Sequence, residues 1–374
     1  MDKTNNPVKT VWVRTPSRRY PVWLAEGLLR RAGEMVTRVQ PGCRRLFVIS
    51  SPGVWALWGK ELTRGLRPAG VQAVPLLLDD RERAKRLSAV EPLADELLRQ
   101  GADRSALLAA LGGGVVGDIT GFVAATYMRG VDYIQIPTTV VGQVDSAIGG
   151  KTGVNLAGGK NLVGAFHQPR AVLSDPRTLF TLPMREYRSG LYEVIKCAVI
   201  GDAKLFRFLE RNLDQVLAGD SRSILRAITS AVRLKAGIVS KDERESGRRR
   251  ALNFGHTFGH AWETLSGFQS LRHGEAVGWG MLAATLLAER LGLIAGRDAE
   301  RISALVASVG PLPRLPPASA ARVYQQMLSD KKSRQGELQF VLPRGAGRVS
   351  IDQTVPRQEV METLRSFPGK RVRR

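Results

Sequence analysis

A chain of 374 residues with 43% hydrophobic content can bury one large core or two medium ones, and two domains are expected. Its only cysteines, Cys43 and Cys197, show no paired spacing, which excludes a disulfide framework and a thiolate zinc knuckle and fits a reducing compartment. The net charge of +22 suggests a polyanionic partner, but the lysines and arginines are scattered and no zinc-finger, RNP or heptad pattern accompanies them. A solvated basic surface is expected, and nucleic acid is not.

The opening MDKTNNPVKT is polar and holds no apolar signal region. Apolar runs then alternate with helix-length segments, at Leu46 to Ser50, Val74 to Leu78 and Leu107 to Leu111. That alternation predicts a mostly parallel sheet covered by helices, an α/β nucleotide-binding domain of variant Rossmann-like kind over residues 1–180. The third run leads into Gly112-Gly113-Gly114-Val115-Val116-Gly117-Asp118, and a helix pattern follows from Ile119. Glycines let the backbone approach an anion, and a helix start offers unpaired N–H groups to a pyrophosphate. A lone GxGxxG is weak, and this one comes after several strand–helix units, which sets it apart from an ordinary dinucleotide fold.

Pro137 to Asn155 is dense in small residues and oxygen-binding groups, Asp145 and Lys151 among them, and Gly159-Lys160-Asn161 extends it. Lysines set among glycines suit a phosphate or carboxylate at close range. A flexible basic loop is the plainer alternative. From Pro183 onward the pattern changes to long amphipathic stretches of 3.6 period, such as Ser221 to Ser240 and Val277 to Leu293. Residues 181–366 are therefore expected to form a mostly helical domain, with a hairpin formed by Leu338 to Leu342 and Arg348 to Ile351. Residues 367–374 read as a disordered basic tail. The uncharged stretch Ala276 to Ala288 is too short to cross a bilayer, so a soluble cytoplasmic protein is expected, with its site in the cleft between the domains.

Three of the four histidines, His256, His260 and His273, fall close together in the helical half. A helix places His256 and His260 on one face, where both can reach one metal or one substrate. The likeness to a zincin motif is superficial, because Thr257 stands where the general-base glutamate should follow the first histidine. Imidazoles with a carboxylate and an open position mark a catalytic metal. Glu193, in an otherwise apolar helix start, is the carboxylate candidate; its plainer reading is an ion pair with Lys196.

The chain resembles the 3-dehydroquinate synthases of the shikimate pathway over most of its length. The likeness is carried by GGGVVGDITGFVAATYMRG (112–130), IPTTVVGQVDSAIGGKTGVN (136–155), GKNLVGAFHQP (159–169), GLYEVIK (190–196), KDERESGRRRALNFGHTFGHAWE (241–263), HGEAV (273–277) and DKKSRQGELQFVLP (330–343). The resemblance implies one zinc or cobalt ion on Glu193, His256 and His273, with His260 facing the substrate. It implies NAD at Gly113, Gly114, Val115, Gly117, Asp118, Thr138, Thr139, Lys160 and Thr181, with Glu82 and Lys85 at the ribose. Asp145 and Lys151 would serve both cofactor and substrate, and Asn161, Lys196, Lys235, Arg249, Asn253 and Lys331 or Lys332 would line the substrate pocket. Arg129 would reach a neighbouring subunit's site, which implies a homodimer.

In that family the substrate is 3-deoxy-D-arabino-heptulosonate 7-phosphate. NAD oxidises its C5 alcohol, phosphate leaves by β-elimination, the same NADH reduces C5 again, and an aldol step closes the carbocycle. Departures from the family pattern stand at Arg81, Ser50, Ser51, Tyr192 and Cys197, where fine positioning is affected. The rival readings are another sugar phosphate cyclase, an iron-type or glycerol-type alcohol dehydrogenase, and a basic nucleic-acid-binding protein.

Overall fold

The computed structural model describes residues 7–267, 270–329 and 338–367, so Lys331, Lys332 and the tail from 368 onward lie outside the described residues. The chain divides into two compact units, Met1–Leu182 with Val239–Arg244, and Pro183–Ile238 with Glu245–Arg374.

The first unit contains β1 (Lys9–Arg14), β2 (Arg19–Leu24), α1 (Ala32–Val39), β3 (Arg45–Ser50), α2 (Pro52–Leu66), β4 (Gln72–Leu77), α3 (Val90–Arg99), β5 (Leu107–Gly112), α4 (Gly114–Thr126), β6 (Asp132–Pro137), β7 (Lys151–Leu156), β8 (Gly159–Phe166) and β9 (Ala171–Ser174). Seven strands form a sheet in the order β1-β2-β9-β6-β5-β3-β4. Every pairing in it is parallel except β1 with β2. The interior strand β5 is buried at all six positions, as a parallel strand covered on both faces must be. Alternation sorts its side chains: Leu107, Ala109 and Leu111 pack with Leu62 and Leu66 of α2, while Leu108 and Ala110 pack with Val116, Ile119 and Val123 of α4. The variant α/β architecture expected from the sequence is present.

Helix α4 begins at Gly114, five residues before the apolar pattern that marks it in the sequence. Gly112 ends β5 and Gly113 caps the helix in an extended conformation, so strand passes to helix within the glycine run with no intervening loop. Gly114, Gly117 and Asp118 interrupt the apolar period over that first turn. β7 and β8 pair as a separate antiparallel ribbon. The segment 239–244, far along the chain, joins this unit because Ser240 Oγ accepts from the Arg14 N–H (2.9 Å) and the Glu243 carboxylate accepts from the Gln168 amide (2.7 Å).

The second unit contains α5 (Met184–Gly201), α6 (Ala203–Leu217), α7 (Ser221–Lys241, whose last turn belongs to the first unit), α8 (His256–Leu265), α9 (His273–Arg290), α10 (Gly296–Ser308), α11 (Ala320–Ser329), the hairpin β10 (Gln339–Gly345) and β11 (Arg348–Thr354), and α12 (Arg357–Ser366). No helix among the described residues is long and apolar enough to cross a membrane.

Beyond β6 the chain turns through a short π-helix at Gly142–Ser146, held by the fully buried Gln143. Its amide nitrogen lies 3.2 Å from the Pro137 carbonyl, 3.0 Å from the Asp175 carbonyl and 3.1 Å from the Thr178 hydroxyl, and its oxygen accepts from Ser174 Oγ at 3.0 Å. Each buried partner left without its donor costs roughly 1–3 kcal/mol. Gln143→Leu should therefore lower unfolding free energy by about 3 kcal/mol in urea denaturation, and a loss below about 1 kcal/mol would show the amide to be dispensable.

Candidate active site

In the first unit, β7 pairs through Asn155 with the backbone at Lys85 and Arg86 and brings remote polar groups into one network. Lys85 is buried and ion-paired with Asp118, and its ammonium also donates to Asn161 Oδ1. Burial pushes the Asp118 carboxyl above its usual range, and the Lys85 charge opposes that rise. Asn155 Oδ1 accepts from the Asn161 N–H (2.8 Å), and Asn155 Nδ2 donates to Glu82 Oε1 (2.8 Å). Lys160 Nζ lies 3.6 Å from the same Glu82 oxygen. Asn161 adopts a left-handed φ of 54°, which its short polar side chain tolerates.

Glu82, Lys85, Asp118 and Lys160 are thus brought together, and Asn161, expected beside the substrate, joins them. Asn155 belongs to the network too, and its place inside the GGKTGVN motif is the sequence signal for it. Gly117 is close-packed, since a Cβ there would stand 2.8 Å from Gln135 Oε1. Thr138 is buried, and Thr139 Oγ1 accepts from the Gly142 N–H (3.0 Å). Asp145 lies in the π-helical turn, and Lys151 stands exposed at the start of β7. Thr181 accepts from Trp58 Nε1 (3.2 Å) and donates to the Thr178 carbonyl (3.1 Å). Arg129 is exposed, and it and Met128 both have positive φ, 68° and 49°. The fourth histidine, His167, stacks on Tyr133 and hydrogen-bonds the Val131 carbonyl.

In the second unit, glycines let three helices approach at backbone distance. A Cβ on Gly280 would sit 1.8 Å from the Gly255 carbonyl oxygen, one on Gly259 2.7 Å from that of Ala276, and one on Gly274 1.8 Å from that of Ser189. The start of α8 therefore lies against α9, and the start of α9 against α5, one turn before Glu193. His256 and His273 are each the first residue of their helix and converge on that carboxylate.

Glu193 is fully buried, and its two oxygens have separate tasks. Oε2 pairs with Lys196, itself buried, while Oε1 lies 3.4 Å from His273 Nε2 and 3.8 Å from His256 Nε2. One carboxylate oxygen and two imidazole nitrogens, all within 4.8 Å of one another, fit a single divalent ion. Tetrahedral bonds of about 2.0–2.1 Å place ligand atoms roughly 3.3 Å apart. The other nitrogen of His256 lies 3.1 Å from the Phe254 carbonyl, so a proton there leaves Nε2 free as a ligand. Burial alone would lower the His273 pKa, but the carboxylates of Glu193 and Glu263 raise it to about 10, so a positive charge is favoured between them.

His260 lies edge-on to His256, with ring centroids 5.1 Å apart. Lys235 and Arg249 are buried, and Asn253 Nδ2 donates to Glu245 Oε1 (2.8 Å). Glu245 holds a left-handed φ of 59°, a strained conformation that its sequence context did not announce.

Fold and donor set together place the chain among enzymes that join an α/β nucleotide-type unit to a helical unit built around histidines. The family model for the 3-dehydroquinate synthase N-terminal region matches residues 75–189, and that for the C-terminal region matches residues 190–333. The 3-dehydroquinate synthase of Koribacter versatilis is 46% identical over 352 residues, 94% of this chain and 96% of that protein. Among solved structures, 2-epi-5-epi-valiolone synthase from Streptomyces hygroscopicus subsp. jinggangensis, with NAD+ and Zn2+ bound, is 29% identical with a TM-score of 0.82, covering 93% of this chain and 96% of its own. A 2-deoxy-scyllo-inosose synthase complexed with carbaglucose-6-phosphate, NAD+ and Co2+ is 26% identical with a TM-score of 0.83, covering 96% and 99%. The chain belongs to the 3-dehydroquinate synthase family, and it is an enzyme of that lyase class.

Gly280→Ala should separate α8 from α9 and strip the cluster of its spacing, since the backbone carbonyl in its path cannot rotate away. Divalent metal retained after gel filtration, measured by atomic emission, should fall well below that of the parent chain. The exposed Gly237 in α7 has open space at its Cβ, so Gly237→Ala should retain full metal and gain about 0.5–1 kcal/mol of stability.

Proposed function

We propose that the enzyme converts 3-deoxy-D-arabino-heptulosonate 7-phosphate into 3-dehydroquinate and inorganic phosphate, with NAD returned unchanged and one zinc or cobalt ion held by Glu193, His256 and His273. The observation that carries this reading is the buried carboxylate oxygen flanked by two imidazole nitrogens, in a chain of this family. When bound, NAD supplies a transient hydride acceptor and the metal supplies Lewis acidity toward neighbouring substrate oxygens.

The chain's own groups account for the rest. Lys85, Asp118, Glu82 and Lys160 hold the ribose and diphosphate side of the cofactor beside the first turn of α4, whose N–H groups attract anionic oxygen. Gly113, Gly114, Val115, Gly117, Thr138, Thr139 and Thr181 complete the cofactor surface in this reading. Lys196, held by Glu193, keeps a buried positive charge at the reacting end. Lys235 and Arg249 bind substrate phosphate and carboxylate, and Asn253, oriented by Glu245, donates to a substrate oxygen. Asp145, Lys151 and Asn161 are assigned to the substrate by the family resemblance, and Lys331 by motif alone. His260, on the same face of α8 as His256, moves a proton at its ring nitrogen. We further propose a cytoplasmic homodimer in which Arg129 serves the partner copy's site; two cysteines without paired spacing agree with a reducing compartment.

His256→Ala should lose metal and turnover together, while His260→Ala should retain metal and lose about 10²–10⁴ in kcat. The assay is inorganic phosphate release with catalytic NAD, alongside metal analysis; equal metal loss in both variants would overturn the assigned roles. Chelator treatment should abolish phosphate release in the unaltered enzyme, and no net NADH should accumulate. Stoichiometric NADH from simple polyols would instead identify a dehydrogenase.

A further inference from the structure

We infer that Glu263 is a positioning residue that sets the tautomer and orientation of His273, an inference that rests on the metal reading above. Glu263 lies in α8 seven residues after His256 and three after His260, so a 3.6-residue helix puts all three within an arc of about 60°. It is a buried carboxylate, 5% exposed, in an environment where an uncompensated charge is costly. Its Oε2 lies 3.4 Å from His273 Nδ1, while Nε2 of the same ring lies 3.4 Å from Glu193 Oε1. The ring is thus held between two carboxylates, one at each nitrogen.

That geometry creates a choice. Glu193, His256 and His273 can hold an ion, and so can His260, Glu263 and His273, but the two sets use His273 jointly. A neutral imidazole has one lone pair, so only one set can receive it. The first set has the stronger claim. Both Nε2 atoms flank the same oxygen of Glu193, and the far nitrogen of His256 already faces the Phe254 carbonyl. Glu263 then accepts the Nδ1 proton of His273, leaving Nε2 as the ligand and raising its basicity. Outer-sphere carboxylates of this kind change metal affinity by about 10–100-fold.

The test is zinc affinity and stoichiometry of the full chain, by competition with a chromogenic chelator, for the parent, Glu263→Gln and Glu263→Ala, with the melting temperature of each metal-free protein as the folding control. Glu263→Ala should bind one zinc 10–100-fold more weakly than the parent, and Glu263→Gln, whose amide oxygen still accepts the Nδ1 proton, should lie between them. Unchanged affinity, or a lower metal-free melting temperature with unchanged affinity, would reduce Glu263 to a packing role and overturn the inference. Two zinc ions in the parent falling to one in Glu263→Ala would make Glu263 a direct ligand and overturn it in another way. A parent that takes up no zinc or cobalt would overturn the metal reading itself.

Discussion

The second unit depends on a close approach that only glycine permits. Gly280 of α9 leaves room for the carbonyl at Gly255, and Gly274 leaves room for the carbonyl at Ser189. An alanine at either position would drive a methyl group into a backbone oxygen, an obstacle that no side-chain rotation removes. With the backbones in contact, the first residues of α8 and α9 face the middle of α5. Two imidazoles then meet one carboxylate without long, flexible side chains having to span the gap. The apolar faces of these helices supply the driving force for packing, and the glycines determine how near the helices come.

The first unit solves a similar problem by different means. Its polar network is assembled from Glu82, Lys85, Asp118, Asn155, Lys160 and Asn161, which no helix or strand holds in common. The backbone pairing of β7 with the 85–86 segment gathers them, and the fully buried Gln143 anchors the chain where it leaves β6. Lys85 is buried because Asp118 and Asn161 meet its ammonium, an arrangement that keeps a cation available in a place water would otherwise have to serve.

Much of this could be read from the sequence, and the limits have physical causes. The parallel sheet was legible because strands buried on both faces are continuous apolar runs, as at Leu107 to Leu111. The placement of His256 and His260 on one helical face follows from a spacing of four residues. The start of α4 was not legible, because glycines at 114 and 117 and Asp118 flank Val115 and Val116 and break the apolar period there. The attachment of residues 239–244 to the first unit rests on Ser240 and Glu243 meeting residues more than seventy positions away, and local pattern carries no such information. Glu263 and Glu245 escaped for the same reason: each matters through a partner brought near by packing, His273 in one case and Asn253 in the other.

The charges around the cluster connect the metal to an anionic substrate. Glu193 and Glu263 bring two negative charges, balanced by Lys196 and by the positive charge favoured on His273. A divalent ion on Glu193, His256 and His273 would displace that proton and leave one positive charge in excess. Around a buried group, where the effective dielectric is far below that of water, such a change would alter the energy of a nearby phosphate or carboxylate by several kcal/mol. Lys196 acts from the far side of Glu193: by occupying Oε2 it leaves Oε1 toward the two imidazoles.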